Sequence, residues 1–497
     1  MFIIVNEHSE KNSADGRVNV ENLELFLHTF WFRSSLACVT ASIESLSHRI
    51  KNGVGTFVLL VTLKKYQRWK MPRRKVTELT RMNILRSSAL ICFLLLVPGT
   101  AGAQPEKWVT TWASSPAPPE PDPDRPILNL QNQTVRERVR ISVGGPQFRI
   151  RLTNEYGSSP LLVGSVTAAV PTDPAGVQPG SIQTVTFGEK NSITIPAGAP
   201  AISDPVAMPV AYGAEISVSL YLPERVTTPT GHEFALKRAI VSPPGDHTHD
   251  EKIQGGTEDS RSVFVSAILV PAQPSQHLVV AFGDSITEGY KSTIDANGSY
   301  PADLVSRLAK MPGNAKLAVV NEGIGGNRLL GDAVIPWMGA SAQARFDRDA
   351  LALPGVTHIV LLEGANDLGF PGVKMGQLSF ADPAHIPSAD DLIGAYRQLI
   401  ARAHARGIKV IGCTMTPLEG FDVPGFWSDT KDAARQAVNK WIRNSGEFDG
   451  VIDFDAVIRD PDHPSRVSEH FASKDHGHPN DAGYQAMADA INLALFQ

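Results

Sequence analysis

Five short apolar runs, separated by stretches that are predicted to be helices, constrain the fold of the second half of this chain. The runs are Leu278–Phe282, Leu317–Val320, Ile359–Leu362, Lys409–Cys413 and Val451–Phe454. The predicted helices are 300–310, 340–351, 390–406, 430–444 and 481–495. Short continuous apolar runs are typical of strands buried on both faces. Their alternation with helices predicts an α/β domain over residues 271–497, with a parallel sheet covered on both sides.

Polar clusters follow the first three of these strands, and a fourth cluster precedes the last helix. They are Gly283–Ser285, Asn321–Asn327, Glu363–Asp367 and Lys474–Asn480. Each cluster taken alone is typical of an ordinary turn or helix cap. Because the carboxyl ends of parallel strands meet at one edge of the sheet, the clusters together predict a functional site at that edge.

With these residues in this order, segment 277–495 resembles the SGNH, or GDSL, hydrolase family. Gly283-Asp-Ser285 matches the first block of the family, with Ser285 as nucleophile, and Gly326 matches the glycine of the second block. Asn366, in Gly-Ala-Asn-Asp, matches the third block, and Asp475-His-Gly-His478 matches the fifth. The resemblance implies a flavodoxin-like three-layer domain and hydrolysis of carboxylic esters.

The chemistry of these residues agrees with the resemblance. A serine hydroxyl is a weak nucleophile and needs a base, for which His478 is the candidate. Asp475 can bond the other imidazole nitrogen and fix the tautomer of His478. His476 competes for the base role, but on an extended segment its side chain would point the opposite way. Three donors are expected to stabilise an oxyanion: the backbone N–H groups of Ser285 and Gly326, and the side-chain amide of Asn366.

An α/β-hydrolase fold is disfavoured by two features of the sequence. The serine of that fold lies in G-x-S-x-G, whereas Thr287 occupies the position of the second glycine here. The acid and the histidine of that fold usually come from separate loops, whereas Asp475 and His478 are three residues apart.

The region from 104 to 270 shows alternating apolar and polar residues with frequent turn signals. Predicted strands are 134–143, 147–153, 162–170, 182–187, 192–195 and 215–222, and Gly144-Gly145 is predicted to form a hairpin turn between the first two. Many short strands of this kind predict an all-β sandwich or jelly roll. The region also resembles the N-terminal module of a subset of secreted family members. It is expected to bind carbohydrate, to shape the catalytic cleft or to serve as a packing module.

Residues 82–103 have the order of a secretory signal peptide. A basic start, the apolar run 89–97 and Ala101-Gly-Ala103 predict cleavage before Gln104. The apolar run is too short to span a bilayer, so no membrane span is expected in the mature chain, which is predicted to be secreted or periplasmic. We interpret residues 1–81 as a disordered extension that results from a start assigned too far upstream. The alternative is a genuine extension.

Charge and cysteine content limit the partners and the redox chemistry. Residues 104–497 hold 32 Lys and Arg against 44 Asp and Glu, which argues against binding to nucleic acid. Cys413, in an apolar strand, is the single cysteine after residue 103 and is predicted to be a buried core residue. No internal disulfide is therefore expected in the mature protein.

These observations predict a secreted serine esterase of the GDSL lipase and acylhydrolase type that acts through an acyl-enzyme on a small-molecule or polysaccharide ester. The alternatives are a carbohydrate acetylesterase, and a non-catalytic carbohydrate-binding or surface protein. No cofactor is predicted. Two histidine groups could hold a metal: His247 with His249, and His470 with His476 and His478. No metal site is expected at the first, because histidines in such a loop are more commonly solvated, or at the second, because the serine and the oxyanion donors explain it better.

Overall fold

The computed structural model describes residues 106–119, 126–226, 228–311 and 316–497. The predicted signal peptide and the predicted extension 1–81 therefore lie outside the described residues. All described residues belong to one compact unit, Ala101–Gln497. Within the described ranges, we find no helix with the length and apolar character needed to cross a membrane.

The first part of the unit is rich in β-strands. They are β1 (Trp108–Ala113), β2 (Gln133–Arg140), β3 (Arg149–Thr153), β4 (Leu161–Val163), β5 (Ser165–Ala169), β6 (Gln183–Thr184), β7 (Ile193–Ile195), β8 (Pro200–Ile202), β9 (Glu215–Leu222), β10 (Gly231–His232), β11 (Ala239–Pro244), β12 (Thr257–Asp259), β13 (Ser262–Val263) and β14 (Val265–Pro271). The two larger sheets are antiparallel, with orders β1-β14-β3-β8 and β12-β11-β2-β9-β5-β6. The sandwich or jelly-roll arrangement goes beyond these pairings and stays a prediction.

The predicted hairpin around Gly144-Gly145 is wrong. Strand β2 pairs with β9 and β11, whereas β3 pairs with β14 and β8, so the two strands lie in different sheets. The backbone of Gly145 instead bridges to Val210, at 3.0 Å from its N–H to the Val210 carbonyl. The predicted strand 162–170 is divided at Gly164 into β4 and β5, because β4 pairs with β7 and β5 pairs with β9.

The second part contains the predicted parallel sheet. Its strands are β15 (His277–Gly283), β16 (Leu317–Gly323), β17 (Val356–Leu362), β20 (Lys409–Cys413) and β21 (Gly450–Ile452), and a small hairpin of β18 (Lys374–Met375) and β19 (Leu378–Ser379) lies apart from it. The order is β16-β15-β17-β20-β21, all parallel. Numbered along the chain, this is the 2-1-3-4-5 order of flavodoxin-like folds.

Helices connect these strands, and several helix boundaries differ from the prediction. The helices are α1 (Ser285–Glu288), α2 (Tyr300–Ala309), α3 (Ala342–Phe346), α4 (Ala365–Gly369), α5 (Ala389–His404), α6 (Asp429–Asn444), α7 (Phe454–Ile458) and α8 (Asp481–Ala490). Phe454 was predicted to end the fifth strand, but it begins α7 because Asp453 caps that helix by accepting from the Ala456 N–H. Helix α8 ends at Ala490, before the predicted 495, and a 3-10 turn, Leu493–Phe496, follows.

The first strand of the parallel sheet is buried on both faces. Leu278, Val280 and Phe282 belong to one hydrophobic cluster, which also contains side chains of both larger sheets of the β-rich region. Val279 and Ala281, which point the other way, belong to a second cluster with helices α2 and α8. The first cluster therefore joins the β-rich region to the α/β region in a shared core. As predicted, Cys413 is fully buried and free.

Candidate active site

Ser285 lies where β15 ends and α1 begins. Asp284 has extended backbone dihedral angles and caps the helix, since its side chain accepts from the Ile286 N–H at 3.0 Å. Ser285 is the first helical residue, so its own N–H belongs to the turn that has no acceptor within the helix. The side chain is mostly covered, with 8% of the residue exposed.

The structure brings Ser285, His478 and Asp475 together in one hydrogen-bonded chain. Ser285 Oγ lies 2.9 Å from His478 Nε2, and His478 Nδ1 lies 2.9 Å from Asp475 Oδ2. An ionised Asp475 can only accept, so it fixes the tautomer in which Nδ1 carries hydrogen and Nε2 accepts from the serine. The arrangement can therefore take a proton from the serine hydroxyl.

Asp475 is well supplied with donors. Its Oδ1 accepts from the His478 N–H at 2.9 Å, the Gly477 N–H at 3.1 Å and the Ser473 hydroxyl at 2.8 Å. Burial raises the pKa of Asp475, but the hydrogen bonds from His478 and Ser473 and the electrostatic attraction to the His478 ring outweigh it, and the net pKa is well below the usual range. The carboxylate is thus ionised at any working pH.

The neighbouring histidine, His476, is directed elsewhere. Its backbone adopts the left-handed region, with φ of 59°, and its side chain is exposed. The turn at His476 lets His478 reach Ser285 while Asp475 remains beside His478. Of the two histidines near Asp475, the structure therefore brings His478 to the serine.

The residues expected to stabilise an oxyanion line the same cavity as Ser285 and His478. Gly326 and Asn366 both border this cavity. One hydrogen of the Asn366 amide is donated to the Asn327 carbonyl at 2.9 Å, which orients the side chain and leaves the second hydrogen available. Gly326 has φ of 72°, which L side chains rarely adopt, and a Cβ there would lie 2.7 Å from Met338 Sδ, so a side chain would be strained and would displace Met338.

Asp367 and Asp284 hold backbone around the site. Asp367 accepts from the Leu329 N–H at 2.6 Å and the Leu330 N–H at 2.9 Å, so it fixes the segment that follows Gly326. Burial raises the pKa of each of these two aspartates to about 6. Neither carboxylate takes part in the hydrogen bonds that join Ser285, His478 and Asp475.

Arg345 was missed by the sequence analysis, although it joins three strand ends beneath Ser285. It is 2% exposed and donates to the carbonyls of Gly283 and Glu322, both at 2.8 Å. It also forms an ion pair with Glu363 at 3.3 Å, beyond the end of β17. A signal was present in the sequence: Arg345 and Asp349 share the helical face of the apolar residues 342, 346 and 350.

The cavity in front of Ser285 is about 200 Å³ and mostly apolar. Its apolar and aromatic lining residues are Phe234, Ile286, Tyr290, Trp337, Ala365, Phe370, Val373, Phe380, Leu418, Phe421, Val423 and Phe426. The rings of Tyr290 and Phe421 lie 4.9 and 5.2 Å from the His478 ring, both edge-on. Ile286 and Ala365 adjoin motif residues in α1 and α4. The other lining residues were missed because, apart from Trp337 in a 3-10 turn, they lie in loops without a periodic pattern.

The two histidine groups that could hold a metal are not gathered into a site. Within the described part of the chain, no group of three or more His, Cys, Asp or Glu side chains is arranged to hold a metal ion. His247 Nδ1 is bonded to Asp250 Oδ2 at 2.7 Å on the surface of the β-rich region. His478 faces the serine, whereas the His470 ring packs on Phe471.

Comparison with known proteins finds one family over the α/β part. Residues 281–486 match the family described as GDSL-like lipase/acylhydrolase. No curated protein matches the chain. Solved structures that match include a G-D-S-L family lipolytic protein from Desulfitobacterium hafniense (20% identity, TM-score 0.32, 43% of this chain and 97% of that chain). An acylhydrolase from Bacteroides fragilis also matches (20% identity, TM-score 0.32, 45% of this chain and 89% of that chain). So does an acetylxylan esterase from Geobacillus stearothermophilus (20% identity, TM-score 0.33, 44% of this chain and 93% of that chain).

Proposed function

We propose that this chain, whose residues 281–486 form a GDSL-like lipase/acylhydrolase domain, is a serine esterase that hydrolyses carboxylic esters through an acyl-enzyme. The observation that carries the proposal is the pair of hydrogen bonds that joins Ser285, His478 and Asp475. Ser285 Oγ lies 2.9 Å from His478 Nε2, and His478 Nδ1 lies 2.9 Å from Asp475 Oδ2. A hydroxyl, a base and an ionised acid in this order are the requirement for activating a serine.

The proposed reaction follows from these positions. Ser285 Oγ attacks the ester carbonyl carbon while its proton passes to His478 Nε2. The oxyanion that forms is held by the N–H groups of Ser285 and Gly326 and by the free hydrogen of the Asn366 amide. The carbon–oxygen bond to the alcohol then breaks, and the alcohol leaves with the proton from His478.

The acyl-enzyme is released by the same groups acting on water. His478 takes a proton from the water as its oxygen attacks the acyl carbon, and the bond to Ser285 Oγ breaks as the proton returns to the serine. Asp475 keeps the histidine in one tautomer and balances its positive charge in both half-reactions.

Turnover of 4-nitrophenyl acetate by the purified protein tests this function. We expect steady release of 4-nitrophenol, which Ser285→Ala abolishes and which survives exhaustive treatment with EDTA. Absence of turnover by correctly folded protein would support the alternative of a non-catalytic carbohydrate-binding or surface protein. Loss of activity with EDTA and its return with zinc would contradict a mechanism based on amide donors.

We further propose that the protein is exported after cleavage before Gln104. The basic start, apolar run and Ala101-Gly-Ala103 of residues 82–103 support export. N-terminal sequencing of the protein from the culture medium or the periplasm tests it. A mature chain that retains residues 1–81 would contradict this processing.

A further inference from the structure

We propose that the β-rich region forms one wall of the substrate pocket through Phe234, and that the pocket selects esters with an apolar group of about four to eight carbons. This inference rests on the proposed esterase function and names its substrate class. The apolar group belongs either to the acyl part or to the alcohol part of the ester, and the experiment below distinguishes the two.

The walls of the cavity favour an apolar group. Apart from the rings of Tyr290 and Trp337, the cavity has four polar lining side chains, all of them at the reaction site: Asp284, Ser285, Asn366 and His478. The hydroxyl groups of a sugar would lose their hydrogen bonds to water in such a cavity and gain few in return. An apolar group meets no such cost.

The size of the cavity sets the size of the group. An apolar protein cavity of about 150 Å³ accommodates a benzene ring. The cavity here has a volume of about 200 Å³ and is open to solvent on one side. A ring, or a chain of about six carbons, therefore fits beside Ser285.

Phe234 comes from the turn between β10 and β11, far from the α/β region in sequence. Its ring centroid lies 4.8 Å from that of Tyr290 and 5.1 Å from that of Trp337, edge-on to the latter. It also packs against the backbone of Gly325, where a Cβ would lie 3.0 Å from Phe234 Cδ2. The ring thus stands beside the glycine that precedes Gly326 and bridges two aromatic walls of the cavity.

The loop that carries Phe234 is fastened at both ends to the α/β region. At its start, His232 Nε2 is paired with Glu288 Oε1 at 2.9 Å, and Glu288 ends the helix that begins at Ser285. At its end, the Asp295 N–H donates to the Leu236 carbonyl at 2.9 Å, and Asp295 Oδ1 accepts from the Arg238 N–H at 3.1 Å. A side chain held between two such anchors is positioned well enough to discriminate between substrates.

Chain-length profiles test the proposal. The substrates are 4-nitrophenyl esters from acetate to decanoate, acetate esters of alcohols from ethanol to decanol, and peracetylated xylose. Burial of one methylene changes kcat/KM by about four-fold. For the natural protein, we expect kcat/KM to rise by up to about four-fold with each added methylene, until the group has about six to eight carbons, in either the acyl series or the alcohol series. We expect kcat/KM for peracetylated xylose to lie below the best value in that series.

Two variants of opposite size locate the effect at Phe234. Phe234→Ala should lower kcat/KM for the hexanoate or hexyl ester at least ~10-fold more than it lowers kcat/KM for 4-nitrophenyl acetate. Phe234→Trp should shift the optimum toward shorter chains. Phe187→Ala is the matched control, because it removes a buried phenyl group of the β-rich region that does not line the cavity.

The outcomes separate this inference from the proposed function. If no ester is turned over, the esterase function itself fails. If acetate is turned over but the profile is flat, or if Phe234→Ala keeps the natural profile, only the selection by Phe234 is overturned. A preference for peracetylated xylose over every apolar ester would likewise overturn it and favour a carbohydrate acetylesterase. A slope in the acyl series alone, or in the alcohol series alone, supports the proposal and identifies the part of the ester that is bound.

Discussion

His232 Nε2 lies 2.9 Å from Glu288 Oε1, and this buried pair joins the β-rich region to the helix turn that begins at Ser285. The other ring nitrogen of His232 lies 3.0 Å from the Ser115 carbonyl, which can only accept, so Nδ1 carries hydrogen. Burial lowers the pKa of His232, but the hydrogen bond and charge of Glu288 outweigh it, and the net pKa is raised. Burial raises the pKa of Glu288, against the opposing effect of His232.

Breaking this pair should destabilise the protein strongly. His232→Ala leaves a buried carboxyl group without its partner, and removing one member of a buried ion pair typically costs about 3–5 kcal/mol. Urea unfolding of the natural protein and the variant measures the difference. The control is Lys252→Gln, which removes an exposed pair with Asp173 and should change little. Equal stability losses in the two variants would contradict the role of the buried pair.

The adjacent histidines should differ sharply in their effect on catalysis. Because a serine, histidine and acid act as a unit, His478→Ala should lose nearly as much kcat as Ser285→Ala, on the order of 10³-fold or more. Asp475→Asn should also cost heavily, because it favours the wrong tautomer. His476→Ala should cost ~10-fold or less, through positioning alone. The measurement is kcat on one activated ester, with folding checked by circular dichroism. An inactive His476→Ala beside an active His478→Ala would show that the base is misassigned.

Removal of the Asn366 amide should lower kcat with little effect on KM. The loss of one oxyanion donor typically costs ~10²–10³ in kcat, since the donor acts on charge that develops in the transition state. Asn366→Ala is compared with Asn444→Ala, which removes an exposed amide bonded to the Lys440 carbonyl. If both variants keep natural kcat, Asn366 is not an oxyanion donor.

Glu137 should make the fold less stable as the pH rises. It is 3% exposed, its Oε1 accepts from the Val263 N–H at 2.6 Å, and its buried Oε2 has no hydrogen-bond partner among the described residues. Burial raises the pKa of Glu137 to about 8, although the Val263 N–H opposes this shift.

The direction follows from the protons bound by each state. Between the ordinary pKa of a glutamate and about 8, the folded protein keeps a proton that the unfolded chain has lost. Glu137 therefore makes its full contribution to the free energy of unfolding below that ordinary pKa. This contribution falls by up to ~1.4 kcal/mol per pH unit as the pH rises to about 8.

The variant Glu137→Gln isolates this effect, because it keeps an acceptor for Val263 but does not titrate. We expect its unfolding free energy to fall less steeply between pH 5 and 7.5 than that of the natural protein, whereas exposed Glu224→Gln should keep the natural slope. Parallel slopes for Glu137→Gln and the natural protein would mean that Glu137 is not buried as a neutral acid.

Local sequence determined most of the α/β region. Short continuous apolar runs that alternate with predicted helices are typical of strands buried on both faces, so the five strands of the parallel sheet, and with them the edge that carries Ser285, were predicted from this pattern. The spacing of Asp475 and His478 is short enough for one turn to hold them together, which is why the pair proposed as acid and base was predicted without the fold. The prediction failed where local signals compete, as at Phe454, where the cap at Asp453 ends the strand.

Only the tertiary structure decided what surrounds the serine. The pairing of β2 and β3 with different sheets depends on long-range hydrogen bonds, which a Gly-Gly turn signal does not report. Arg345, Phe234 and the pair of His232 with Glu288 act through contacts between residues that are distant in sequence. No local pattern encodes such contacts, because they arise when the shared core brings the β-rich region against the end of the parallel sheet. The sequence thus determined the residues that are proposed to react, and the packing of two regions decided which residues line the cavity in front of Ser285.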